Sequence, residues 1–175
     1  MINIGIVFGC FIPMHKGHES LITRALEEND KIILAVCGYQ TDRGRDFIDF
    51  ETRIRLVTDM FKDRKDRVIV VKIDDKKLGL DGTFTHENWV LWGDELFGNA
   101  GISPDSAHFT WYTGEASYVE KLGEIYPNHT FTLVDRQVIK TSGTEIRSNP
   151  AMHEDEINKE FLEYLKTTGK LKQKE

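Results

Sequence analysis

The residues best suited to chemistry in this chain are two histidines three positions apart, His15 and His18, with Lys16 between them. An apolar run at residues 4–8 precedes them and helical spacing follows at 20–26, so they stand at a strand-to-helix junction. Backbone amides at a helix N-terminus attract anions, and imidazole and ammonium groups can donate to the same oxygens. The grouping therefore predicts a site for nucleotide phosphates.

Small residues flank the histidines and allow the backbone to approach a ligand closely. Gly9 ends the apolar run, Gly17 lies beside the second histidine, and Pro13 stiffens the loop between them. We expect the whole stretch from Gly9 to His18 to surround one ligand. The competing interpretation is a chance loop in which both histidines only cap a helix.

A second group of candidate ligands lies near the other end of the chain, at Ser142, Thr144 and Arg147. The hydroxyls stand at the start of a predicted helical turn, where they and the backbone amides can bind an anion. The planar guanidinium can reach the same anion one turn later. An ordinary helix cap beside a surface arginine would show the same pattern, but two partial anion sites in one chain favour a shared phosphate ligand.

The elements that must position these residues alternate along the chain. Apolar and β-branched runs predict five strands, at residues 2–9, 31–38, 67–73, 107–113 and 130–134. Helical periodicity predicts helices at residues 17–28, 50–62, 87–97, 114–122 and 154–166, with a single turn at 144–147. The alternation predicts an α/β fold: one doubly wound, Rossmann-like parallel sheet flanked by helices. Its ligand should lie at the carboxyl ends of the strands, where Gly9, Gly38 and Gly114 fall.

Length and composition narrow the class of protein. We expect residues 1–175 to form a single domain with its core at about 2–150, a C-terminal helix, and a tail frayed to residue 175. A net charge of −6 argues against a nucleic-acid-binding surface. No apolar run is long enough to span a membrane and no export signal is evident, so we expect a cytoplasmic protein in which Cys10 and Cys37 are reduced thiols.

The first motif resembles the GxFxPxHxGH signature of the HxGH nucleotidyltransferase superfamily. Its positions are occupied by Gly9, Phe11, Pro13, His15, Gly17 and His18. The second motif resembles the ISSTxxR element of the same superfamily, with glycine at position 143 where serine or alanine is usual. The resemblance implies an ATP site formed by Gly9, Phe11, Gly17, Gly114, Glu115, Ser142, Thr144 and Arg147.

The resemblance also implies catalytic roles. His18 would contact the α-phosphate and the bridging oxygen, His15 would orient the phosphates, and Lys16 would add positive charge. The two hydroxyls and the arginine of the second motif would hold the β- and γ-phosphates and stabilise the departing pyrophosphate. Mg²⁺ would bridge phosphate oxygens without dedicated protein ligands.

Three further features resemble the nicotinamide-mononucleotide adenylyltransferases, and among them the adenylyltransferase part of the NadR-type proteins. They are the HKGH form of the first motif, an R-x-R pair beginning at Arg53, and two tryptophans, Trp89 and Trp92, at helical spacing. The resemblance implies that Arg53, both tryptophans and Cys10 contact the mononucleotide, the indoles packing on the cationic nicotinamide ring. Tryptophans packed in the core and a solvent-exposed arginine are the alternatives.

The expected reaction is adenylyl transfer from ATP to nicotinamide mononucleotide, so these two molecules are the expected partners. The resemblance is also compatible with a homo-oligomer. The helix-turn-helix segment and the P-loop kinase of NadR-type proteins are not expected here, since no G-x-x-x-x-G-K-[ST] string occurs. Two alternatives remain open. One is transfer to another phosphorylated acceptor, such as nicotinate mononucleotide, phosphopantetheine, or a sugar or alcohol phosphate with CTP; the other is a non-catalytic nucleotide sensor.

Overall fold

The computed structural model describes residues 1–38, 47–74, 85–135 and 142–171. Within these ranges five parallel strands form one sheet in the order β3-β2-β1-β4-β5. The strands are β1 (Asn3–Gly9), β2 (Lys31–Gly38), β3 (Val68–Asp74), β4 (His108–Thr113) and β5 (Thr130–Leu133). The predicted five-stranded parallel sheet is confirmed.

Helices cover both faces of the sheet. They are α1 (Lys16–Glu28), α2 (Phe50–Met60), α3 (His86–Ala100), α4 (Ala116–Ile125), α5 (Gly143–Ser148) and α6 (Lys159–Thr167), with 3₁₀ turns at Lys62–Arg64 and Pro150–Glu156. Helices α1, α2, α5 and α6 contribute to a first core on one face, and α3 and α4 contribute to a second core on the other. In the described part of the chain no helix is both long and apolar enough to cross a membrane.

The central strands β1 and β2 are buried on both sides of the sheet because their residues are mainly apolar. In β2, residues 32–38 are all buried, and successive side chains alternate between the first and second cores. β1 pairs with β2 on one side and with β4 on the other, so the connections reverse direction at β1. Open α/β sheets bind ligands in the crevice at such a reversal, on the carboxyl side of the strands.

The C-terminal region differs from the predicted helix at residues 154–166. A 3₁₀ turn ends at Glu156, and α6 begins only at Lys159, after an Asn158 cap whose side chain accepts from the amides of Glu160 and Phe161. Between them, Ile157 forms an antiparallel bridge with His15. The extended segment is held against the first motif by this bridge and by the amide of Asn158, which donates to the carbonyl of Met14 at 2.9 Å.

Smaller corrections concern helix ends. α4 begins at Ala116 rather than at residue 114, and α3 continues to Ala100, where Gly101 takes the left-handed conformation (φ 67°) that terminates helices.

The predicted fraying after residue 166 is wrong for residues 168–171, because Leu171 packs on the first core and Lys170 Nζ donates to the carbonyl of Phe47 at 2.6 Å. Residues 172–175 lie outside the described ranges.

Candidate active site

A cavity of about 510 Å³ opens at the carboxyl ends of β1 and β4, where the sheet reverses direction. Both predicted anion-binding motifs contribute to its walls. The predicted residues that line it are Gly9, Cys10, Phe11, His15, Gly17, His18, Gly114, Glu115, Ser142, Thr144 and Arg147. The tertiary structure therefore brings the two motifs to one site.

The loop between β1 and α1 turns at Phe11. This residue has a φ of 56°, a left-handed conformation that is uncommon for a side chain larger than glycine. Its buried ring contacts the His18 ring edge-on, with centroids 4.9 Å apart, and a Cβ on Gly9 would approach the same ring to 3.1 Å. Gly9 is thus needed for its small size, while the strained turn lies at Phe11.

The two histidines are held by backbone amides at the start of α1. Nδ1 of His15 accepts from the amide of Gly17 at 3.1 Å, and Nδ1 of His18 accepts from the amide of His15 at 3.2 Å. The rings stack with centroids 3.8 Å apart. Because each Nδ1 accepts a hydrogen bond, each neutral ring carries its proton on Nε2, which is then the nitrogen that donates.

The second motif lies across the cavity from the first and is joined to it directly. Arg147 donates through Nη1 to the carbonyl of Ile12 at 2.7 Å and through Nη2 to Oγ1 of Thr144 at 3.3 Å. Ser142 caps α5 by accepting from the amide of Glu145. A Cβ on Gly143 would lie 2.9 Å from Nη1 of Arg147, so glycine at this position leaves room for the guanidinium.

The end of β4 forms a third wall of the cavity. Oγ1 of Thr113 accepts from the amide of Glu115 at 3.1 Å, which shapes the turn into α4. One turn later, Tyr118 lines the cavity and its ring lies 5.5 Å from that of Phe8. Sequence reasoning missed Thr113, Tyr118 and Phe8, although their positions at or just beyond predicted strand ends could have indicated them.

Lys16 does not line the cavity, contrary to its predicted catalytic position. Its ammonium lies 3.3 Å from the carboxylate of Glu19, and its side chain is 61% exposed. As the first residue of α1, Lys16 points outward while the flanking histidines face inward. Residues one or two positions apart on a helix face different directions, so Lys16 cannot share the inward face of His15 and His18.

Arg53 is also placed differently from the prediction. It is 1% exposed and does not line the cavity. Its Nη1 donates to the backbone carbonyls of Cys10 and Cys37, at 2.6 and 2.8 Å. This buried guanidinium therefore joins the carboxyl ends of β1 and β2. The position matches neither a solvent-exposed arginine nor a residue that lines the cavity.

Trp89 and Trp92 lie in the second core, at 5% and 2% exposed, and neither lines the cavity. Trp92 contacts Phe8 edge-on at 5.0 Å and Trp89 contacts Tyr118 at 5.4 Å. α3 turns both indoles toward the sheet, where they support the two aromatic rings that line the cavity. Their contact with the mononucleotide stays a prediction.

The described residues offer no preformed metal centre. They contain no group of three or more His, Cys, Asp or Glu side chains arranged to hold an ion, and Glu115 is the one acidic residue among those described around the cavity. The donor set fits an anion better than a cation. A divalent ion would therefore enter as part of a nucleotide complex, held by phosphate oxygens and water.

Comparisons with known proteins agree with this geometry. The family model described as cytidylyltransferase-like matches residues 6–149. The trifunctional NAD biosynthesis/regulator protein NadR of Salmonella typhimurium is 27% identical over 182 residues, covering 95% of this chain and 41% of the relative. A probable nicotinate-nucleotide adenylyltransferase of Fusobacterium nucleatum is 33% identical over 84 residues, covering 47% of this chain and 43% of that protein.

A solved structure of NadR in complex with NAD and AMP-PNP superposes with a TM-score of 0.73 at 31% identity. The alignment covers 92% of this chain and 46% of that one. Each of these alignments thus covers less than half the length of the relative.

Proposed function

This chain belongs to the cytidylyltransferase-like family, and we propose that it transfers the adenylyl group of ATP to nicotinamide mononucleotide, giving NAD and pyrophosphate. The observation that carries the proposal is the stacked pair of His15 and His18, whose Nε2 donors share a cavity with Arg147. Donors arranged in this way suit a chain of phosphates.

The chemistry needs no nucleophile from the protein. An oxygen of the acceptor phosphate forms a bond to the α-phosphorus, and the bond from that phosphorus to the bridging oxygen of pyrophosphate breaks. The acceptor phosphate is anionic near neutral pH, so no general base is required. Catalysis then consists of positioning and stabilisation of charge.

We assign the two sides of the transferring group to the two motifs. His18 Nε2 donates to the α-phosphate and the bridging oxygen, and His15 Nε2 orients the neighbouring phosphate. Arg147, with the hydroxyls of Ser142 and Thr144, takes the β- and γ-phosphates. A guanidinium has five N–H donors, so it can bind Ile12 and Thr144 and also donate to an anion. Mg²⁺ bound to the nucleotide would offset part of the phosphate charge, with no dedicated ligand from the described residues.

The acceptor's ring is assigned to the aromatic wall formed by Phe8 and Tyr118. These rings line the cavity, whereas Trp92 and Trp89 lie behind them. The nicotinamide ring of the mononucleotide is flat and positively charged, so the face of an aromatic side chain is an apt partner. Gly114 and Glu115, at the turn after β4, are assigned to the ribose and adenine.

The relatives support the same class of substrate. NadR has been solved with NAD and an ATP analogue, and the Fusobacterium relative is named for the nicotinate form of the acceptor. The second candidate acceptor is therefore nicotinate mononucleotide, which differs by one carboxylate in place of the amide.

A coupled assay tests the proposal. The protein is given ATP and Mg²⁺ with nicotinamide mononucleotide or its nicotinate analogue, and dinucleotide and pyrophosphate are measured together. We expect turnover of the amide substrate, with Arg147→Ala strongly impaired and the exposed Arg55→Ala unaffected. Preference for the acid would replace the acceptor with the nicotinate form. ATP binding without turnover of either would instead support a nucleotide sensor.

A further inference from the structure

Cys10 and Cys37 occupy neighbouring positions at the carboxyl ends of β1 and β2. The register pairs Gly9 with Val36, and each cysteine is the next residue along its chain. Neighbouring strands lie about 4.8 Å apart, within the Cα separations of about 4.4–6.8 Å that a disulfide spans. Cys10 lies one residue beyond the end of β1, so the strand ladder does not prevent a closer approach.

The two side chains lie on the same face of the sheet. Cys37 is buried in the second core and Cys10 packs against that core, as do other residues of alternate positions on these strands. The same nitrogen of Arg53 binds both cysteine carbonyls, which keeps the two backbones side by side. Both residues line the candidate cavity, but Cys37 is only 4% exposed whereas Cys10 is partly exposed, so Cys10 is the thiol that a small molecule in the cavity would meet first.

We propose that Cys10 and Cys37 form a redox-active dithiol within the candidate cavity, and that its reagent is a small-molecule disulfide. One protein thiolate attacks the reagent, giving a mixed disulfide and one released thiol. The second cysteine then attacks the protein sulfur of that mixed disulfide and releases the second reagent thiol. The two protein thiols lose two electrons and two protons in total, and the reagent disulfide is reduced to two thiols.

The position of the pair links its oxidation state to nucleotide binding. Cys10 directly precedes the strained turn at Phe11, and the same loop carries His15. A bridge to Cys37 would restrict the movement of the start of this loop, so we expect the reduced form to adapt to nucleotide more readily and to bind it more tightly. By linkage, bound ATP should then shift the dithiol–disulfide equilibrium toward the reduced form.

The test uses oxidised glutathione on the native protein, followed by intact mass measurement and thiol titration. The sequence contains two cysteines, so loss of two hydrogen atoms at the monomer mass identifies this bridge. We expect that loss, with both thiols consumed and restored by dithiothreitol. Cys10→Ser and Cys37→Ser should each retain a single glutathionyl adduct instead, because no second thiol can displace it.

Two outcomes would overturn the inference. Two glutathionyl adducts on the wild-type chain would show that the sulfurs are accessible but too far apart. Reaction in urea but not in the native protein would show that the cavity does not admit the reagent. Circular dichroism identifies a variant that misfolds. Phenylarsine oxide is a second probe that needs no variant, because a dithiol in the wild-type protein should bind one arsenical and release one water molecule.

This inference does not depend on the proposed acceptor. A bridge that forms in a protein without adenylyl transfer would leave the dithiol established and the proposed function refuted. A protein that transfers the adenylyl group but forms no bridge would support the proposed function and refute the dithiol. If saturating ATP leaves the oxidised fraction at equilibrium in a glutathione redox buffer unchanged, the proposed link between the bridge and nucleotide binding is refuted. The change in mass alone decides whether the dithiol forms a bridge.

Discussion

Nη1 of Arg147 donates a hydrogen bond to the carbonyl oxygen of Ile12 at 2.7 Å, across 135 positions of sequence. Through this contact the second motif is attached to the loop that carries the histidines. The same guanidinium reaches Thr144, so the hydroxyl, the arginine and the loop form one connected wall. The arginine therefore shapes the wall of the cavity in addition to placing a positive charge there.

Replacing Arg147 with lysine should separate its two roles. Lysine keeps the charge but cannot bind Ile12, Thr144 and a phosphate with one planar fork. We expect kcat/KM to fall by about a hundredfold, the usual scale for loss of one transition-state donor. Steady-state kinetics compared with Arg55→Lys, at an exposed position on α2, provide the measurement. Equal activity of the two variants would refute the assignment.

His18 has two nitrogens with different partners, and paired substitutions can distinguish them. His18→Asn keeps an acceptor near Nδ1 for the amide of His15 but removes the Nε2 donor. We expect this variant to melt near the wild-type temperature while its turnover falls by about a hundredfold. His18→Gln, which extends further, should recover part of the rate. The exposed His108→Asn is the control, and an unchanged rate in His18→Asn would remove His18 from the mechanism.

Arg53 should govern stability. Arg53→Met fills similar volume but leaves the carbonyls of Cys10 and Cys37 without this donor, and each unsatisfied buried group costs about 1–3 kcal/mol. We expect a clear loss in the urea midpoint, while KM for both substrates in the folded fraction stays close to wild type. A normal midpoint with a raised KM would restore the predicted role at a substrate phosphate.

We expect opposite effects from substitutions in the aromatic wall and in the tryptophans behind it. Tyr118→Ala should raise KM for the mononucleotide with little effect on stability, because Tyr118 is only partly buried and lines the cavity. Trp92→Ala should cost about 3–5 kcal/mol of stability, as for other large core residues. Kinetics and thermal melting of both variants test this. If Trp92→Phe, which keeps the core filled, alone raised KM, the indole would contact the ligand after all.

His129 should make stability depend on pH. Its Nδ1 accepts from Nε1 of Trp111 at 3.0 Å, and its Nε2 donates to the carbonyl of Pro104 at 2.7 Å. Burial lowers the pKa of His129 from its ordinary value of 6.5, although the bond to Pro104 partly offsets this. The unfolded chain therefore binds this proton at higher pH than the folded protein does. The stability that neutral His129 contributes is complete above pH 6.5, and it is lost as the pH falls through the pKa of His129 in the folded protein.

Urea unfolding between about pH 8 and pH 5 checks this dependence. The difference in unfolding free energy between the wild type and His129→Gln should shrink toward acid pH. The same comparison with the exposed His108→Gln should stay constant. A constant difference for His129 as well would contradict the assigned cause.

Local pattern was enough to locate the two motifs that the fold brings to one cavity, which we propose as the phosphate site. Glycines, histidines and hydroxyls at a strand or helix boundary form anion-binding turns from a few consecutive residues, so His15, His18, Ser142 and Thr144 could be assigned from their neighbours alone. The alternation of strands and helices likewise determined the parallel sheet, because short connections and right-handed crossovers leave few other arrangements.

The tertiary structure decided what each long side chain does. Arg53, Trp89 and Trp92 have residue types suited to a ligand, but the faces of α2 and α3 on which they lie are turned toward the sheet. No local signal predicted that the segment after Pro150 crosses back to His15, or that Cys10 and Cys37 share one cavity. Spacing along a helix or strand sets which residues share a face. Only the packing of distant elements decides whether that face meets the core, the solvent or the ligand.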